Sequence, residues 1–362
     1  MELTRRDVLG FRARAQQLGR EAGSTADTAV LDLGVQDTGT DGAAWALALR
    51  GVRDVPAEEV VLVWTLRGAP HLYRRADLSE VAAATAPFSE ADAGKRIFDA
   101  ARPLRAAGIP VLEGLDTVAA RMREIVTEPM VKGEMSTRLT AVLDEPYVRP
   151  CVPCDAIHTY EQPFRLAALR AGLELEPGTS PPVLRPVPGF APAAAPSDRL
   201  DVVRAYLRLL GPATPAHVAG YLDAPLADVK AHWPADAVEV TVDGQRRWVL
   251  AEDAARLTGE APAGTVLLGS HDLFLQARDR PTIVPDRAEA RQLWRPIGRP
   301  GAVLSDGDVV GIWRARKAGK ALDLTVDPFG PVPPGLRAAV EAQAERLAAH
   351  RGLALRTLSM DG

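Results

Sequence analysis

The stretch from Asp198 to Leu250 admits few folds. Asp198 stands where a helix cap is favoured, and Leu200, Val203, Leu207 and Leu210 then recur at the spacing that lines up one helix face, until Gly211-Pro212 stops the helix. Thr214 caps a second helix with Pro215 at its first position, and Val218, Tyr221 and Leu222 supply its apolar face. After Asp223-Ala224 a third helix is expected around Leu226 to Trp233. Val238 to Val242 and Arg246 to Leu250 then alternate as strands do, around Asp243-Gly244, a dipeptide that suits a tight hairpin turn. Three helices followed by a hairpin is the order of a winged helix, in which the third helix can enter a DNA groove while the hairpin touches backbone. Winged helices also serve as protein-interaction modules, so this unit alone leaves DNA contact open.

The rest of the chain is read around that anchor. Residues 177–197 are dense in Pro with Gly and Ser and predict a semi-rigid linker or an ordered crossing loop. Upstream, Val118 to Val126 is helical in pattern, Glu128-Pro129 breaks it, and Ser136 can cap a helix from Thr137 to Leu143, which together suggest a second helix-turn-helix. Val8 to Gln17, Val30 to Leu33 and Gly42 to Leu49 read as helical, and Val60 to Leu66 as a buried strand. Downstream, Thr265 to Gln276, Ala302 to Leu304, Val309 to Arg316 and Leu322 to Val326 read as strands with turns at Asp306-Gly307 and Ala318-Gly319; Leu336, Val340 and Leu347 mark a C-terminal helix. The expected fold is α+β: tandem winged helix-turn-helix units with a small C-terminal antiparallel sheet or β-barrel. Its expected segments are 1–115, 116–176, the linker 177–197, 198–262 and 263–362. A doubly wound sheet is not indicated, because strands and helices do not alternate and no Gly-rich phosphate loop occurs.

With 362 residues, 47% of them hydrophobic and 25% charged, the chain can build two or three packed units. No run has the roughly 18 uncharged apolar residues of a membrane helix and no apolar leader opens the chain, so a cytoplasmic protein without membrane contact is expected. A net charge of −4 does not by itself favour nucleic acid. Positive charge is nevertheless local: Arg5, Arg6, Arg12, Arg14 and Arg20 near the start; Arg67, Arg74 and Arg75 with His71; and Arg314, Arg316, Lys317 and Lys320. The last two groups contain no acid, so a segregated basic surface is expected.

Several short motifs, in order along nearly the whole chain, resemble a known family. They are Leu33-Gly34-Val35-Gln36-Asp37-Thr38, Trp64-Thr65-Leu66-Arg67-Gly68-Ala69-Pro70-His71-Leu72, Tyr206-Leu207-Arg208 with Gly211-Pro212-Ala213-Thr214, Arg278-Asp279-Arg280, Leu293-Trp294-Arg295-Pro296 and Gly311-Ile312-Trp313-Arg314. The chain resembles the winged-helix DNA glycosylases of the AlkZ and YcaQ type. That resemblance implies three tandem winged helices and a small barrel forming a concave DNA-binding body, removal of N7- or N3-alkylated purines, and in some members unhooking of interstrand crosslinks. The family's catalytic signature is Gln-x-Gln or Gln-x-Asp; Gln36 matches its first position and Thr38 replaces the last. Such an enzyme must hold a water against the anomeric carbon and stabilise an oxocarbenium-like sugar. Thr38 can exchange hydrogen bonds but is no base at neutral pH, which leaves Asp37 or Asp41 as nearby carboxylates. The expected catalytic residues are therefore Gln36, Asp37 and Thr38. Arg67 and His71 sit where the family places residues near the lesion, and the alternative is a winged-helix DNA-binding or regulatory protein without chemistry.

The expected DNA contacts are Arg67, His71, Arg74, Arg75, Arg314, Arg316, Lys317 and Lys320, on double-stranded DNA that is alkylated or crosslinked. No cofactor or metal is expected: Cys151, Cys154 and His158 are one ligand short of a structural zinc site. His271-Asp272 reads as a buried polar pair. A regulator would need a dimer on a palindrome, whereas no long coiled-coil segment occurs, so a monomer is expected. No Lys in a Schiff-base setting stands out, which favours simple hydrolysis over lyase chemistry.

Overall fold

The computed structural model describes residues 1–40, 42–152, 155–259 and 262–360. The 198–250 pattern folds in the expected order: helices Val202–Leu210, Pro215–Leu222 and Leu226–Ala231, then the antiparallel hairpin Ala237–Val242 and Gln245–Leu250. Asp243 and Gly244 turn it at φ 47° and 75°, the left-handed pair that a two-residue hairpin demands. The first helix is capped by Asp201 rather than Asp198, because residues 197–201 close a turn before it; the Asp201 carboxylate accepts from the backbone N–H of Val203 and Arg204 at 3.0 and 2.9 Å. At the second helix, the Thr214 hydroxyl accepts from the His217 N–H while His217 Nδ1 accepts from the Thr214 N–H, both at 3.2 Å.

The chain's first residues complete this unit rather than the N-terminal one. Glu2–Leu3 lies parallel to the hairpin, with Glu2 opposite Thr241. The helix Arg5–Ala15 then buries Val8, Phe11 and Ala15 with Leu3 against Val240, Val242, Val249 and Leu257. A two-stranded wing cannot bury an apolar face alone, and this amphipathic helix supplies the missing layer.

The middle of the molecule is a six-stranded sheet in the spatial order Val35–Gln36, Pro70–Arg74, Val60–Trp64, Leu173–Leu175, Val183–Pro186, Met130–Val131. Every residue of Val60–Trp64 is buried, so this strand needs neighbours on both edges and cover on both faces. Those neighbours come from distant segments: Leu62 faces Leu72 on one side and Leu175 on the other. Val183–Pro186, from the Pro-rich stretch expected to be a linker, is one of the strands. The break expected after residue 115 falls inside the helix Val111–Ile125. Ser136 likewise lies within the helix Lys132–Val142 and does not cap it. His158 lies in strand Ala156–Thr159, paired with Val148–Cys151, and Cys154 and Asp41 lie outside the described residues.

Beyond residue 263 five strands follow in the order Thr265–Leu268, Gly301–Ser305, Asp308–Ala318, Ala321–Pro328, Ala354–Met360. The first three pairings are antiparallel. The last is parallel, because the helix Leu336–His350 carries the chain back to the starting end of the sheet. The strand expected from Thr265 to Gln276 stops at Leu268, since Asp272 caps a 3-10 turn, Leu273–Gln276, by accepting from the Phe274 N–H at 3.0 Å. The largest apolar core is shared by helical and β regions and runs from Leu9 to Met360. The fold is thus α+β, and no described helix is long and apolar enough to cross a membrane.

Candidate functional site

Gln36 is delivered by a turn that only glycine permits. Gly34 adopts φ 86°, and a Cβ there would come within 2.4 Å of the Tyr73 ring. The chain then enters the two-residue strand in which Gln36 faces His71 across the ladder. Gln36 Nε2 donates to Thr38 Oγ1 at 3.1 Å, which leaves the Gln36 carbonyl oxygen and the Thr38 hydroxyl hydrogen for a further partner. Both residues line a cleft of about 340 Å³. Trp45 and Trp313 also line it, their indoles locked by donation to the carbonyls of Leu267 and Leu268 at 2.7 and 2.9 Å.

Asp37 is not part of this wall. Its Oδ1 accepts from the Ala43 N–H at 2.8 Å, at the start of the helix Gly42–Ala48, so the expected catalytic carboxylate is a helix cap. Asp272 does line the cleft, but its two oxygens accept from Arg50 at 2.8 and 2.9 Å in a fully buried pair. Asp272 is thus committed to Arg50, whereas Asp37 spends one oxygen on the helix start.

A second cavity of about 270 Å³ adjoins the first and shares Gln36, His271 and Arg299 with it. Arg67, Gln276, Arg278 and Arg280 complete its polar lining. Arg67, at φ 58°, stacks 4.7 Å from the Tyr221 ring and donates to Tyr221 O and, at 2.8 Å, to Gln276 Oε1. Asp279 separates Arg278 from Arg280 in sequence, yet its carboxylate turns into the core to meet Arg12, at 2.7 Å, and Arg247. Burial, with Arg299 and Arg67 nearby, pushes the His271 pKa down to about 4, so its imidazole is neutral at pH 7. The same burial, with Arg280, Arg278 and Arg67 around it, lowers Arg299 to about 10.

The other expected contacts divide. His71 is fully buried beneath Gln36, its Nδ1 3.0 Å from Ala69 O and 3.1 Å from Thr65 Oγ1, and desolvation pushes its pKa down to about 3. Arg74 is enclosed by Asp32 at 2.6 Å and Asp77 at 3.4 Å, and Arg75, part-exposed, meets Glu174 at 2.8 Å, so both are engaged in ion pairs within the fold. Near the chain start, Arg5, Arg12 and Arg20 are similarly engaged by Asp308, Asp279 and Asp27. Arg314 reaches the rim of the cleft and pairs with Asp327 at 2.7 Å; Arg316 lies 3.2 Å from Asp323, which also holds Arg356. Lys317 and Lys320 are exposed and have no carboxylate partner among the described residues.

Sequence reasoning passed over His271, Arg278, Arg280 and Arg299 as site residues. The signal existed: residues 278–299 hold six arginines against Asp279, Asp286 and Glu289. Two of those acids are spent elsewhere, Asp279 in the core with Arg12 and Asp286 as the cap of the helix Arg287–Leu293.

A family model described as DNA glycosylase AlkZ-like matches residues 30–350. The solved structure of Streptomyces sahachiroi DNA glycosylase AlkZ is similar to this chain over 100% of both chains, with a TM-score of 0.75 and 23% identity, which shows a common fold. No curated protein matches the chain in sequence.

Proposed function

The chain belongs to the AlkZ-like DNA glycosylase family, whose model spans residues 30–350, and from that premise we propose that it excises N7- or N3-alkylated purines from duplex DNA by attack of water. The observation that carries this reading is the Gln36–Thr38 pair on the wall of a cleft flanked by guanidinium groups. N7 alkylation places a positive charge on the purine, so the base leaves without prior protonation. The protein's tasks are then to hold a water at the anomeric carbon and to exclude others. Gln36 Oε1 accepts one hydrogen of that water and the Thr38 hydroxyl holds its oxygen; the N-glycosidic electron pair leaves with the base, and the proton shed as water adds to the sugar passes by way of the neutral His271 imidazole, which lines the same cleft, to solvent. We read the protein as a monomeric, cytoplasmic DNA-repair enzyme. Two adjoining cavities also leave room for a bulky adduct, so crosslinked duplex is the second substrate to examine.

The test is release of N7-methylguanine and N3-methyladenine from alkylated duplex by the purified protein. Gln36→Ala is expected to slow release at least tenfold, about 1.4 kcal/mol of barrier. Tight DNA binding with no base released from these substrates or from crosslinked duplex would decide for the non-catalytic alternative.

A further inference from the structure

We propose that Arg67, Arg278, Arg280 and Arg299 form a seat for one phosphate group, filled in use by a phosphodiester of the DNA strand whose base is held at Gln36. This rests on the reading of the protein as a DNA enzyme and adds to it a site for the substrate's backbone.

Four cations line one cavity of about 270 Å³, and among the described residues no carboxylate lines it. The acid nearest in sequence, Asp279, is committed to Arg12 and Arg247. Arg67 is held by Tyr221 O and Gln276, but the other three guanidinium groups are short of partners. Among the described residues, Arg278 Nε and Arg299 Nε are buried without a partner, Arg299 reaches Leu275 O at 3.3 Å, and Arg280 stacks 5.0 Å from the Trp294 ring. Buried donors left unpaired cost stability, and like charges in a half-buried cavity add to that cost; a tetrahedral oxyanion relieves both at once. The mutual repulsion is visible in the lowered pKa values of Arg278 and Arg299, behind the larger effect of burial.

Position decides which anion. The cavity shares Gln36, His271 and Arg299 with the cleft, and the phosphates of a nucleotide lie one sugar away from its anomeric carbon. Electrostatics points the same way: a cationic base and an oxocarbenium-like sugar would be repelled by four bare guanidinium groups, and a phosphate among them lowers that repulsion. The seat therefore serves both binding and chemistry.

The experiment compares the parent with Arg278→Gln/Arg299→Gln. Affinity for duplex DNA with an abasic-site analogue is measured over a range of salt, and thermal unfolding is followed with sodium phosphate against sodium chloride of equal ionic strength. The parent should gain more melting temperature from phosphate than the variant does. The variant should melt no lower than the parent without phosphate, because repulsion has been removed. Its salt slope should be shallower by about 0.9, one phosphate contact. An unchanged slope with DNA binding intact overturns the seat and leaves the glycosylase reading standing. Phosphate stabilisation confined to the parent, in a protein that does not bind DNA, overturns the DNA assignment in favour of a free anion. Equal stabilisation of both proteins by phosphate overturns the site itself.

Discussion

Asp37 and Gln36 are adjacent, yet of the two only Gln36 lines the cleft. Asp37 holds the first turn of a helix that supports the cleft, so Asp37→Ala is expected to cost about 1 kcal/mol of stability, as loss of a helix cap does, while Asp37→Asn keeps the cap. Both variants should retain base release within threefold of the parent, measured beside Gln36→Ala. Loss of release in a fully stable Asp37→Asn protein would return the carboxylate to the chemistry. His71 gives a pH signature. Its pKa falls from 6.5 to about 3 on burial, so between those values the unfolded chain binds the extra proton, and stability present above pH 6.5 is lost as pH falls toward 3. Denaturant unfolding of His71→Gln should therefore depend less on pH between 7 and 4 than that of the parent. If the two proteins lose stability in parallel over that range, other groups govern the acid limb.

Among the elements, the hairpin of Asp308–Ala318 and Ala321–Pro328 shows how a basic run changes meaning once its partner strand is known. Arg314 and Arg316 look unpaired in sequence, but Asp327 and Asp323 meet them from the neighbouring strand. The free charge is concentrated at the tip, on Lys317 and Lys320. Lys317→Ser/Lys320→Ser is accordingly expected to weaken binding to every duplex alike and to reduce the salt slope by roughly two, near 0.9 for each lost phosphate contact. Adding Arg316→Ser should change the slope little further, because that arginine is already shared with Asp323. Unchanged salt dependence in the double variant, with circular dichroism intact, would show that the tip points away from DNA.

On the scale of the whole molecule, a few buried carboxylates join segments that are remote in sequence. Asp279 receives Arg12 from the N-terminal helix and Arg247 from the wing, while Arg278 and Arg280 on either side of it face the cavity. Asp279→Asn leaves two buried guanidinium groups uncompensated, and a loss of about 3–5 kcal/mol in urea unfolding is expected. DNA affinity should fall with it even in protein that remains folded, because the arginine loop loses its anchor. Full stability in this variant would mean that the pairs are dispensable to the assembly of the units.

Local pattern was enough for the winged helix at 198–250, its Thr214 cap and its Asp243-Gly244 turn, because helix periodicity, capping and positive-φ turns are decided within a few residues. The ordered motifs along the chain likewise carried the family. Strand Ala354–Met360, the pairing of Glu2–Leu3 with the wing and the pairing of Val183–Pro186 with Met130–Val131 were not legible, since each rests on a partner far away in sequence. The same holds for charge. An arginine reads as free until the fold brings an acid to it, as for Arg74 and Arg75, and an acid reads as a neutraliser until the core claims it, as for Asp279. Ion pairs act over a few ångströms of space rather than of chain, so the residue types and the local elements were written in the sequence, and which guanidinium groups remain to meet DNA was decided by tertiary packing.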